Sequence, residues 1–150
     1  MSTHTATVSW ELGDGAFTPA EYPRDHHWRL AGGQTLNASA APGYRGNADC
    51  VDPEEAYTAS LSSCHMLTFL YLAASKGLVV EKYLDQAEGT LGKTERGMVM
   101  TRVTLRPEIT FSGPAPSQED LDKLHNAAHK ACFIANSVLT EIVVEAPQAA

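Results

Sequence analysis

The chain has 150 residues, 43% of them hydrophobic and 19% charged, and carries a formal net charge of -7 at pH 7. That size fits a single domain, residues 1–150, with a core of its own and no need of disulfide staples. The acidic balance argues against nucleic acid and against an anionic membrane surface, because both select a basic face.

In chain order, the N-terminal third reads as strands. Val8, Trp10 and Leu12 alternate with polar residues, Trp28 and Leu30 precede a Gly32-Gly33 turn, and Leu36 begins a third short strand. The stretch from Pro42 to Asp49 is a loop. A helix then opens with Asp52 as N-cap, Pro53 at the first helical position, and Glu54 and Glu55 at the positive end of the helix dipole. It runs without a breaker to Gly77, with small residues (Ala56, Ala59, Ser60, Ser63) on its early turns that suit close packing against another backbone. A β-rich stretch follows, with Thr94-Glu95-Arg96-Gly97 as a hairpin turn and Val99, Thr101, Val103 and Leu105 on one face of its second strand. Pro114 and Pro116 end it. Ser117 and Asp120 resemble a capping box opening a second helix, on which Leu121, Leu124, His125 and Ala128 share a stripe. Ile142, Val143 and Val144 suggest a last strand. The expected order is βββ-α-ββ-α-β, an α+β domain with a mostly antiparallel sheet and two main helices.

Residues 1–8 lack the basic and apolar blocks of a signal peptide, and no apolar run approaches the roughly 18 residues of a membrane span. The expected location is therefore cytoplasmic, where three cysteines read as reactive or buried thiols rather than as a disulfide framework. Cys64 and Cys132 each belong to a helical segment, while Cys50 in its polar loop is incidental. Cys64 lies too deep in its helix for help from the dipole, so a thiolate there needs a cation. Arg24, Arg29 and Arg45 are candidates; Arg45 is favoured because its loop leads into the helix, and Glu54 is a suitable carboxylate to orient it. Glu54 and Cys64 are about 15 Å apart along the helix axis and roughly 80° apart around it. Either Arg45 bridges that gap, or Arg45 and Glu54 serve the Cys64 of a second chain running antiparallel. A second thiol can condense with a sulfenic acid to a disulfide, and Cys132, at the end of the second helix, is the candidate.

Together, Asp52-Pro53-Glu54-Glu55, Ser62-Ser63-Cys64-His65 and Ala128-His129-Lys130-Ala131-Cys132, with Arg45 before them, resemble the OsmC/Ohr family of osmotically inducible and organic hydroperoxide resistance proteins. The resemblance covers nearly the whole chain. It implies an OsmC-like fold in which long central helices pack within an intertwined homodimer, with an active site at each end of the interface. It also implies thiol-dependent reduction of organic hydroperoxides; lipid-type hydroperoxides are the expected substrates, and no cofactor is expected. In that scheme Cys64 is the peroxidatic thiol, Cys132 the resolving thiol, Arg45 and Glu54 the activators, and a dihydrolipoyl protein the dithiol reductant. Where the family often has Cys-Pro, this chain has Cys132-Phe133, which motivates an alternative: a dimer of the same fold that binds an apolar ligand or senses oxidation. Phe69, Tyr71, Phe133 and Ile134 are candidates for an apolar entrance. No metal is expected, because His65 points about 100° away from its neighbour Cys64 on a helix and the Cys-His spacing is not that of a zinc finger. His26 and His27, adjacent on a strand, point to opposite faces and cannot chelate jointly.

Overall fold

The computed structural model describes residues 1–145, so residues 146–150 of the expected domain lie outside the described residues. The strands are β1 (Ala6–Ser9), β2 (His26–Leu30), β3 (Thr35–Ala38), β4 (Val79–Asp85), β5 (Glu88–Thr94), β6 (Gly97–Leu105), β7 (Pro107–Ser112) and β8 (Glu141–Val144). The helices are α1 (Pro53–Ser75), between β3 and β4, and α2 (Gln118–Ala131), between β7 and β8. This is the expected α+β class, and the named strands pair antiparallel except for the parallel β6–β8 ladder. Four strands, not two, separate the helices. The chain changes sheet through Gln86-Ala87 and again through Arg106 alone, connections too short to read as turns in the sequence. No helix among the described residues is long and apolar enough to cross a membrane.

The chain forms two compact units, Met1–Ala56 and the remainder from Tyr57. In the first, β1, β2 and β3 make an antiparallel meander with Val8 opposite Trp28 and Trp28 opposite Leu36. Ser39, fully buried, donates to Asp25 Oδ1 at 2.8 Å and accepts from the Asn47 N–H at 3.1 Å, and the Asn47 amide donates to Asp25 Oδ2 at 3.1 Å. These bonds hold the Asp25 carboxyl below its ordinary range and tie the 39–47 loop to the residue before β2. In that loop Arg45 closes a 3-10 turn (Pro42–Tyr44) with left-handed φ of 67°. The next residue must be glycine, because a Cβ on Gly46 would lie 1.4 Å from the Ala40 carbonyl oxygen. Gly46→Ala is therefore expected to displace the loop at a cost of about 1–3 kcal/mol, as overpacking does. Scanning calorimetry should show the melting temperature falling by roughly 2–10 °C.

The second unit is organised by α1. Asp52 Oδ1 accepts from the Glu55 N–H at 2.8 Å and the Glu55 carboxylate accepts from the Asp52 N–H at 3.2 Å, a reciprocal cap at the helix start. At the other end Gly77 takes φ of 74°, and the bonds Gly77 N–H to Ala74 O and Leu78 N–H to Ala73 O terminate the helix in a Schellman turn. Leu61, His65, Phe69 and Ala73, one per turn, form its buried face. Phe69 and Ala73 join Ile109, Leu121, Leu124 and Ala128 in one core; Leu61 joins Val103 and Leu105 in a second. Phe69 is fully buried, so it cannot line an entrance as expected; its truncation should cost about 3–5 kcal/mol. The expected face of β6 is also corrected. The register shifts between Thr90 and Leu91, so that Arg102 pairs with Thr90 but Met100 with Leu91. This bulge at Thr101 puts Met100, rather than Val99 and Thr101, against the core of Val103 and Leu105.

Candidate active site

Helix α2 starts where Ser117 accepts from the Asp120 N–H at 3.2 Å, and its buried stripe is the expected one: Leu121, Leu124, His125 and Ala128. Cys132 caps its C-terminus and is 1% exposed. The backbone N–H groups of Ala135, at 3.4 Å, and of Ile134 donate to the Cys132 sulfur, and the Asn136 N–H donates to its carbonyl at 3.0 Å. The side chain is therefore clamped at the turn between α2 and the following 3-10 segment.

Cys64, half-buried on α1, is hydrogen-bonded to Cys132 through the two sulfurs, and both cysteines are free thiols. Burial first, and then this bond, push the Cys132 thiol up to about 11. The two thiols differ in environment: Cys132 is buried with its pKa raised, whereas Cys64 is half-buried. Alkylation with iodoacetamide at pH 8 should label Cys64 well before Cys132. Peptide mapping at timed intervals checks the order, since the thiolate is the reacting form.

His65, next to Cys64 on α1, belongs to a group of histidines. His65, 1% exposed, meets His125, 5% exposed, through Nε2···Nδ1 at 3.0 Å. Phe69 stacks on His125 with centroids 4.5 Å apart, and its other neighbour is Tyr83 at 5.8 Å. Burial first lowers both histidines to about 4, with His129 acting further on His65 and His65 on His125, so both are neutral at pH 7. His65 faces His129 and Asp85, and His125 faces Asp122. Asp85 also anchors the turn before Cys64: it accepts from the Ser62 hydroxyl with one oxygen and from the Arg106 N–H, at 2.6 Å, with the other. Among the described residues no group of three or more His, Cys, Asp or Glu could hold a metal ion.

The other candidate residues belong to the first unit. Arg45 is exposed, and its guanidinium donates to the Ala20 carbonyl at 2.7 Å. Glu54 is half-buried in the first turn of α1, beside the Glu55 that closes the cap. Arg24 donates to the Tyr22 and Pro19 carbonyls and lies 3.8 Å over the Tyr22 ring, and Arg29 is exposed on β2. Within the same unit Trp10, Phe17 and Tyr22 pack together, with centroids 5.8–6.3 Å apart, beside an apolar cleft of about 590 Å³ that also borders Pro23 and His26. Cys50 is half-buried, and burial, then Asp25 and Asp49, raise its pKa.

Of the four candidate site residues, Cys64 and Cys132 are in direct contact. His125 was overlooked as anything but core. Its signal was present, since it and His65 are the polar members of otherwise apolar helical stripes.

A protein-family model described as OsmC-like protein matches residues 46–146. Among solved structures, an OsmC-like protein of unknown function from Vibrio cholerae O1 biovar eltor is 48% identical, covering 97% of this chain and 99% of that one, with a TM-score of 0.92. An organic hydroperoxide resistance protein from Elizabethkingia anophelis is 22% identical, over 99% of this chain and 96% of that one, with a TM-score of 0.75. A further organic hydroperoxide resistance protein, from Legionella pneumophila, is 18% identical, over 100% and 98%, with a TM-score of 0.70. At that identity these last two share the fold. No curated protein sequence matches the chain.

Proposed function

For a chain that belongs to the OsmC-like protein family, we propose a thiol-dependent peroxidase that reduces organic, lipid-type hydroperoxides. The observation that carries this reading is the contact between a half-buried Cys64 and a buried Cys132. The Cys64 thiolate attacks one peroxide oxygen, the O–O bond breaks, and Cys64 becomes a sulfenic acid while the leaving alkoxide takes a proton to give the alcohol. Cys132 then attacks the Cys64 sulfur. Its proton and the sulfenic hydroxyl leave as water, and a Cys64–Cys132 disulfide remains. An external dithiol, a dihydrolipoyl group, exchanges with that disulfide and restores both thiols.

In this scheme residues 1–150 act as one domain within a homodimer in the cytoplasm, and Arg45, oriented by Glu54, stabilises the thiolate and then the charge developing on the leaving oxygen. The left-handed backbone of Arg45 supports its part, because strained non-glycine residues cluster at functional sites. Steady-state consumption of cumene hydroperoxide with dihydrolipoamide as reductant tests the proposal. Saturable turnover is expected; consumption no faster than dihydrolipoamide alone contradicts it. The aromatic cleft beside Trp10, Phe17 and Tyr22 favours a second reading, a dimer of the same fold that binds an apolar ligand without turnover. Saturable binding of a fatty acid by wild type that consumes no peroxide would select it.

A further inference from the structure

The buried faces of α1 and α2 are apolar except where His65 meets His125. His65 stands one turn from Leu61 and one turn from Phe69, between the two apolar cores. Its ring lies within 4° of parallel to that of His125, with centroids 5.3 Å and nitrogens 3.0 Å apart. Those three values together place the imidazoles edge to edge in one plane, the geometry of a head-on N–H···N bond between two neutral rings. Such a bond tolerates little change in distance or tilt, whereas apolar side chains slide past each other at small cost. Phe69, stacked on His125, fixes the remaining freedom of that ring.

Cys64 is the residue before His65 on α1. Cys132, the C-cap just past the end of α2, lies about two turns of chain beyond His125. We propose that the His65–His125 hydrogen bond is the positioning element of the thiol pair, holding the turn of α1 that carries Cys64 at the separation from α2 at which the Cys132 sulfur meets it. This rests on the thiol-pair reading of the site. Losing one partner leaves the other imidazole buried and unpaired, for His125 at both nitrogens, since its Nε2 has no partner among the described residues. Replacing both with apolar residues of similar volume removes the direction but not the packing.

The test separates positioning from stability and from peroxidase activity. Wild type, the double variant His65→Met/His125→Phe, and His125→Asn, whose amide reaches where Nδ1 stands, are equilibrated in mixtures of oxidised and reduced dithiothreitol. In that exchange the two protein thiols are oxidised to the disulfide as the cyclic dithiothreitol disulfide is reduced. The double variant is expected to keep a melting temperature within a few degrees of wild type, yet to form the Cys64–Cys132 disulfide with an equilibrium constant about tenfold lower, the scale of one lost coupling. His125→Asn should stay within about twofold of wild type. A folded double variant with the wild-type constant overturns the proposal, as does a His125→Asn constant as low as that of the double variant. Should the double variant fail to fold, His125→Phe replaces it, and a constant equal to that of His125→Asn overturns the proposal. Wild type that forms the disulfide in this exchange but consumes no peroxide leaves the positioning role standing and removes only the peroxidase reading.

Discussion

Cys64→Ser is expected to lower organic-hydroperoxide turnover by at least ~10³-fold, because a serine hydroxyl at neutral pH supplies almost no anion to attack the O–O bond. Cys132→Ser should behave differently. Its Cys64 can still be oxidised once, so a burst of about one peroxide per chain should precede the stall, with sulfenic acid accumulating. The distinction follows from the unequal environments of the two sulfurs: Cys132 is 1% exposed with its pKa raised to about 11, whereas Cys64 is half-buried. A continuous peroxide assay on both variants, with dimedone labelling of Cys64, checks the pair. Equal loss of the first turnover in both would mean that the two sulfurs act as one unit rather than in sequence.

Acid should unfold the protein in a window set by histidine rather than by carboxylate. His65 and His125 have pKa values of about 4 in the folded chain against a usual 6.5, so the unfolded chain binds protons more readily. Their contribution is fully present above pH 6.5 and is lost as the pH falls from 6.5 toward 4, levelling off below that. The groups facing them are His129, which opposes protonation of His65, Asp85, which favours it, and Asp122, which favours protonation of His125. Because the two rings share one hydrogen bond, they titrate as a unit, and the expected loss for the pair is roughly 3–5 kcal/mol. That is a large part of the stability of an ordinary domain. Asp25, with its lowered pKa, adds to acid lability only below the ordinary carboxylate range. Urea unfolding at several pH values should show stability falling between pH 6.5 and 4, and the His65→Met/His125→Phe chain should be flat there. A wild-type curve that is flat across this window contradicts neutral burial of the pair.

What the sequence made legible was local. Asp52 and Pro53 at the start of α1, Gly77 past its end, Ser117 before α2 and the stripe from Leu121 to Ala128 each act within a turn or two of chain, and the structure has them as expected. The meeting of Cys64 with Cys132 was anticipated as a geometric requirement rather than read from spacing. What escaped was tertiary. A hydrogen bond between His65 and His125 joins two helices that the chain separates by four strands, and nothing local to either residue announces the other. Thr101 falls on the other face because a bulge depends on its partner strand, and the aromatic character that suggests Phe69 for an entrance says nothing of the core that covers it. Tyr71 and Phe133, by contrast, are exposed.

The two-thiol mechanism is tested most directly by peptide mapping of wild-type protein after one equivalent of cumene hydroperoxide. The account predicts peroxide consumed within the first turnover and a Cys64–Cys132 disulfide, with Cys50 still reduced. Both thiols remaining reduced while the peroxide persists would contradict it.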